Sequence, residues 1–196
     1  ESKVSGFGRA SYSFDDRYFL TGSLRYDATS KLFERSDIFP AVSGAWKLSS
    51  EPFFKDVVPA ISLLKLRASW GQLGNENALG YYSFLALINT NNTMYQGYVR
   101  GNGSSAWTGS IARGLENRDL KWETTDTKNI GIDFGFFNNQ LSGSINYYYN
   151  QTRDLLITKE LAPSTGIESP VLNVGKMRNA GIEFELNWAD KIGDLD

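Results

Sequence analysis

Apolar and polar residues alternate with period two through most of this chain. From Tyr18 the even positions read Tyr18, Leu20, Gly22, Leu24 and Tyr26, while Thr21, Ser23, Arg25 and Asp27 lie between them. Leu64, Leu66, Ala68 and Trp70 oppose Lys65, Arg67, Ser69 and Gly71. Ile130, Ile132, Phe134 and Phe136 oppose Asn129, Gly131, Asp133 and Gly135. The same alternation recurs at Leu141, Ile145, Tyr147 and Tyr149, and at Ile182, Phe184, Leu186 and Trp188. Shorter runs occur at Ala10, Tyr12 and Phe14, and at Val42, Trp46 and Leu48. A two-residue period sends one set of side chains to each face of a strand, so the pattern predicts about seven strands of roughly 9–15 residues.

Connections of two kinds alternate between these strands. Asp15-Asp16-Arg17 and Asn138-Asn139-Gln140 are tight turns, whereas Thr29 to Phe39, Leu73 to Leu120 and Thr158 to Asn173 are long. Ser50 to Ser62 is intermediate, and Glu51-Pro52-Phe53-Phe54-Lys55 fits a short helix with proline in its first turn. An all-β antiparallel meander with short turns at one end and long loops at the other is the pattern of an up-and-down transmembrane β-barrel. If Asp15 to Arg17 faces the periplasm, parity puts every tight turn on that side and every long loop outside.

A soluble β-sandwich also alternates, turning its apolar face to its own core. Two features favour the barrel. Aromatic residues gather at the tight turns (Phe14, Tyr18, Phe136, Phe137 and Trp188), as in an interfacial girdle. Full charges stand in mid-strand on the polar faces, which suits a wet lumen and marks Arg25, Asp27, Lys65, Arg67, Asp133, Glu183 and Glu185 as lumen-facing.

Composition removes several functions. The net charge is −2, with 20 Lys and Arg against 22 Asp and Glu, which gives no basic face for nucleic acid. No apolar run is long enough for a spanning helix. Cysteine and histidine are both absent, excluding disulfide scaffolds, thiol nucleophiles, Ser-His-Asp triads and nearly all zinc sites. No catalytic residues are assigned and no cofactor is expected. Glu183 and Glu185 share one strand face, a poor match to glycosidase carboxylates that oppose each other across a cleft. Asp126, Asp133 and Asp154 offer oxygen ligands, yet their spacing matches no EF-hand and assigns no metal. The chain begins without methionine or a signal-like pattern and ends in a turn, so it reads as a piece of a longer protein.

The Leu73–Leu120 connection is rich in Asn, Gly and Ser but also carries Tyr81, Tyr82, Phe84, Tyr95, Tyr98 and Trp107. Aromatics at that density predict an ordered, packed loop. Most of these rings are expected to anchor the loop itself. Tyr95, Tyr98 and Trp107 are its candidate ligand-binding residues, offering flat apolar faces beside amides to a sugar or an extended peptide.

Particular strings then add a resemblance. Asp119-Leu120-Lys121-Trp122-Glu123-Thr124-Thr125 followed by Asn129-Ile130-Gly131-Ile132-Asp133, and Leu64 to Gln72 continuing to Gly74-Asn75, resemble signatures of SusC/RagA-type TonB-linked outer-membrane proteins of Bacteroidetes. So do Tyr18 to Arg25, Phe39-Pro40 with Ser43 and Trp46, and Asn173-Val174-Gly175 with Asn179, Gly181, Ile182 and Glu183. The resemblance spans nearly the whole chain and departs mainly in the long loop. It implies that 1–196 is part of a plugged barrel of about 22 strands in the bacterial outer membrane, with plug and TonB box elsewhere. It further implies import of glycans or oligopeptides, energised through TonB, with a SusD-like surface lipoprotein as lid and outer-membrane lipid around the wall. From the residues alone, a soluble β-sandwich carbohydrate-binding module using Trp107 and Tyr98 stays open, as does a passive porin.

Overall fold

Two hairpin turns set the frame. In the computed structural model, Asp15 and Asp16 both take positive φ (51° and 45°), and the Arg17 amide donates to the Phe14 carbonyl at 3.0 Å. Asn138 and Asn139 repeat this at φ 56° and 67°, with the Gln140 amide bonded to Phe137 O at 3.2 Å. Left-handed central residues give the turn the twist of its flanking strands, and Asp and Asn tolerate that region better than most residues. The structure describes residues 2–34, 36–55, 60–77, 79–89, 99–101, 106–108, 111–112 and 114–190, with 55, 88–89 and the pieces between 99 and 112 described by main chain alone.

The long strands are β1 (Lys3–Phe14), β2 (Tyr18–Thr29), β3 (Ser36–Lys47) and β4 (Ile61–Asn75). After the short strands β5 (Ile88–Asn89), β6 (Val99–Gly101), β7 (Ala106–Thr108) and β8 (Ile111–Ala112) come β9 (Glu123–Phe136), β10 (Leu141–Thr158) and β11 (Val171–Trp188). The seven long strands form one antiparallel sheet in the order β1-β2-β3-β4-β9-β10-β11, so each pairs with the long strand next to it in the chain. A short helix α1 (Pro52–Lys55) fills the β3–β4 connection, starting at proline as the sequence predicts. Within the longest connection, β5 pairs β8 and β6 pairs β7 as two small ribbons.

Register assigns the faces. Leu20, Gly44, Ala68, Ile130, Tyr147 and Ile182 lie in one cross-strand row on the apolar face. Thr21, Ser43, Ser69, Asn129, Tyr148 and Gly181 form a row on the polar face. Among the described residues no second layer covers the apolar side: Ile130 is 62% exposed and Ile182 73%. A β-sandwich would bury that face, so a one-layer sheet overturns the sandwich alternative. The row from Tyr18 at the turn end of β2 reaches Phe184 on β11, well inside its turn end at Trp188. This stagger is that of strands tilted within a barrel wall.

Two expectations need correction. β10 and β11 are 18 residues each, longer than the alternation predicts, because both run past the apolar band toward the loops. Their outer part is irregular, with register shifts between Thr152 and Leu156 and a left-handed Asp154 (φ 54°), so it carries no clean period. The β2–β3 connection is also shorter than expected. Phe39, read as its far end, lies inside β3 and is buried. There it packs edge-on against Trp122 with ring centres 5.7 Å apart. Among the described residues the buried apolar core is Leu32, Phe39, Leu79, Leu120, Trp122 and Leu156, all near the loop end of the sheet.

Candidate functional site

The polar face is the chemically distinctive surface. All seven residues expected to face a lumen lie on it: Lys65, Asp133 and Glu185 share one cross-strand row, Arg67 and Glu183 the next, and Arg25 and Asp27 stand apart toward the loop end of β2. At its centre Arg67 crosses over Gly131, where an added Cβ would meet its side chain and that of Asn146. The Arg67 Nε–H donates to Asp133 Oδ1 at 3.1 Å and an Nη2–H to Asn146 Oδ1 at 2.6 Å. Asn146 pairs across the sheet with Glu183, and Ser144 with Glu185, which accepts from Asn187 at 3.1 Å. Lys65 stands 5.5 Å from the Phe19 ring centre. Arg25 binds Asp27 at 2.8 Å, and Asp27 is buried while Arg25 stays half exposed. Half-exposed pairs of this kind add little stability; they fix where charges point. Asn146 was not singled out from sequence because its role appears only when β4, β9 and β10 align.

Asp126 faces the apolar side and Asp133 the polar side, so the oxygen-ligand grouping with Asp154 does not converge. Among the described residues no group of three or more acidic, His or Cys side chains is placed to hold a metal. Tyr95 and Tyr98 lie outside the described residues. Trp107 falls in β7 opposite Arg100, with its side chain outside them. Of the other loop aromatics, Phe84 packs toward the core and lies 6.1 Å from Phe33, whereas Tyr81 and Tyr82 are exposed.

At the turn end, Glu51 ties the aromatic margin together, a role its sequence position did not reveal. Tyr18 O–H donates to Oε1 at 2.6 Å, Trp46 Nε1–H to the same oxygen at 3.0 Å, and Arg17 to Oε2 at 3.0 Å. Tyr18 and Trp46 stack at 6.1 Å and 14° between planes. Donation from Tyr18 and then Trp46 outweighs burial and, with Arg17, holds the Glu51 carboxyl below its ordinary value of 4.5. A folded value below the unfolded one gives stability that is complete above the unfolded value and lost as pH falls through the folded one. The unfolding midpoint of the wild type should therefore drop on acidification from about pH 5, and that of Glu51→Gln should drop less. Parallel pH profiles would show that this contact is not energetically coupled to the fold.

The apolar face runs from Tyr18 to Tyr26 on β2 and from Leu141 to Tyr149 on β10, about 25 Å of strand, or some 20 Å of height at a tilt of about 40°. Aromatic side chains mark both margins: Phe14, Tyr18, Trp46, Phe136 and Trp188 at the turn end, Tyr26, Trp70 and Tyr149 at the loop end. One sheet with an apolar band between two aromatic margins and a charged reverse defines a strip of transmembrane β-barrel wall. The family described as TonB dependent receptor-like, beta-barrel, matches residues 1–195, and the chain belongs to it.

The chain is 37% identical to the TonB-dependent receptor SusC of Bacteroides thetaiotaomicron over 187 residues, covering 94% of this chain and 18% of that protein. Superposition on the RagAB peptide importer in its closed-closed state gives a TM-score of 0.81 at 29% identity, over 98% of this chain and 20% of the other. The siderophore receptor PirA of Pseudomonas aeruginosa shares the fold, with a TM-score of 0.60 at 17% identity over 94% of this chain and 30% of that one. The likeness to SusC and RagAB agrees with the SusC/RagA type that the sequence strings resemble. The chain thus spans about a fifth of the SusC and RagAB proteins it matches.

Proposed function

We propose that this chain is a strip of the barrel wall of an outer-membrane, TonB-energised importer of glycans or oligopeptides that works with a SusD-like surface lipoprotein. The observation that carries the reading is the near-complete coverage of this chain by SusC and by a peptide importer, RagAB. In this reading the apolar band faces outer-membrane lipid and the tight turns face the periplasm. Arg25, Asp27, Lys65, Arg67, Asp133, Glu183 and Glu185 then line the inner wall, and the 76–122 connection lies outside, where cargo and lid approach. Plug and TonB box belong to other parts of the parent chain. The wall residues give cargo a polar path and carry out no bond chemistry.

Uptake of labelled glycan and oligopeptide pools by cells with and without the full-length protein tests this. Uptake should require the protein and should stop when a protonophore collapses the inner-membrane gradient. Uptake that persists without the gradient would identify a passive porin instead.

A further inference from the structure

The apolar face does not stay apolar to the loop end. On β9 it reads Phe136, Phe134, Ile132 and Ile130, then turns to Lys128 and Asp126. On β10 it reads Ile145, Tyr147 and Tyr149, then Gln151 and Arg153; on β11 Phe184, Ile182 and Ala180, then Arg178. Lys128 pairs with Trp70 on one side and Tyr149 on the other, and Asp126, Gln151 and Arg178 form the next row. Lys128 therefore stands within the aromatic margin and Arg153 and Arg178 just beyond it, all three exposed.

Their arrangement is organised. Asp126 binds the Arg153 guanidinium through Oδ2 and accepts from Gln72 Nε2 through Oδ1 at 2.8 Å, which fixes the arginine against β9. Arg178 lies 5.6 Å from the Tyr149 ring centre, which holds it over the margin. The single carboxylate leaves the cluster positive. The patch is also local: Tyr26, Ala28, Ser36 and Ile38, toward the loop end of the same face on β2 and β3, carry no charge. Arg and Lys are costly within the hydrocarbon and favourable beside anionic headgroups. Directly below the cations, Ile130, Tyr147 and Ile182 offer an apolar seat for acyl chains.

We infer that Lys128, Arg153 and Arg178 form a binding site for the phosphate of an outer-leaflet lipid headgroup, whose chains lie on Ile130, Tyr147 and Ile182. The inference rests on the reading that this face looks outward into the membrane. A soluble anion would find the same charge but gain nothing from the apolar seat, so the lipid is the better fit.

The test uses the full-length protein in phosphatidylcholine nanodiscs, with diphosphoryl lipid A as probe and native mass spectrometry as readout. Removing two cations in the Lys128→Ala/Arg178→Ala variant should weaken lipid A binding about thirtyfold, roughly fivefold for each cation. Dephosphorylated lipid A should bind the wild type as weakly as lipid A binds that variant. Asp126→Asn frees Arg153 from its carboxylate and should tighten binding by about fivefold, which a loss of fold would not do. Equal binding of the two lipids, an unaffected double variant, or full competition by inorganic phosphate would each overturn the lipid site. A fluorophore on Ile130→Cys reports the outward reading separately, through quenching by nitroxide-labelled lipids. Quenching without phosphate dependence removes only the site; absence of quenching removes the outward reading beneath it.

Discussion

Ile132→Arg is expected to destabilise the folded barrel by about 2–4 kcal/mol, whereas Ser43→Arg should cost less than about 0.5 kcal/mol. Ile132 sits in the row Leu66, Ile132, Ile145 and Phe184, midway between the turn-end aromatic Phe136 and Lys128 at the loop end. That is the depth at which a guanidinium finds neither water nor headgroup, and the cost of charge on a lipid face peaks there. Ser43 lies between Thr21 and Ser69 in a polar row of the opposite face, the face that also carries Arg67 and Asp133. Urea unfolding of the full-length protein from lipid vesicles measures both. Equal costs would mean that neither face meets lipid, and a larger cost at Ser43 would reverse the faces.

Most of the sheet was legible because its signal is periodic. Every long strand shows its two faces in the spacing of Leu, Ile and aromatic residues, and the two tight turns announce themselves in Asp-Asp and Asn-Asn. Features built from contacts between distant residues left no such trace. Glu51 looks like one more acidic residue before a proline until β2 and β3 bring Tyr18 and Trp46 to it. The charged patch on the outer face was likewise hidden, because Asp126, Arg153 and Arg178 lie on different strands and meet only in register. The candidate ligand aromatics Tyr95, Tyr98 and Trp107 depended on loop composition, which carries no period to place a side chain.

The strings that carry the family resemblance have a physical reading that periodicity does not supply. In the stretch from Asp119 to Thr125, Leu120 and Trp122 are buried, and Glu123 accepts from Asn75 at 3.1 Å and from the Leu156 amide at 3.3 Å. Asn173 clamps Lys121, accepting from its amide at 2.9 Å and donating to its carbonyl at 3.0 Å, and donates to the Asp154 carbonyl at 2.7 Å. Phe39 rests against the position where Gly74 has no side chain, since a Cβ there would collide with the ring. Part of each of these strings thus serves the junction where the wall hands over to its loops.

Trp122→Ala is accordingly expected to cost about 3–5 kcal/mol, and to cost it locally. Trp122 is buried, meets Phe39 edge-on, and has the Lys3 ammonium 5.6 Å from its ring centre. Removing the indole leaves a cavity among Leu32, Leu79, Leu120 and Leu156, a cluster with no lipid to fill it. The belt strands draw their stability from register and bilayer, so the loss should open the loop end before the wall. Hydrogen exchange resolves this: the Leu79 amide, bonded to Glu76 O at 3.0 Å, should lose protection while Ile132 and Ile145 keep theirs. Trp122→Phe separates volume from polarity. The indole N–H is buried with no acceptor among the described residues, so losing it offsets part of the lost packing. That variant should stay within about 1 kcal/mol of the wild type. A uniform loss of protection across belt and loop end would instead make this cluster part of one cooperative unit with the wall.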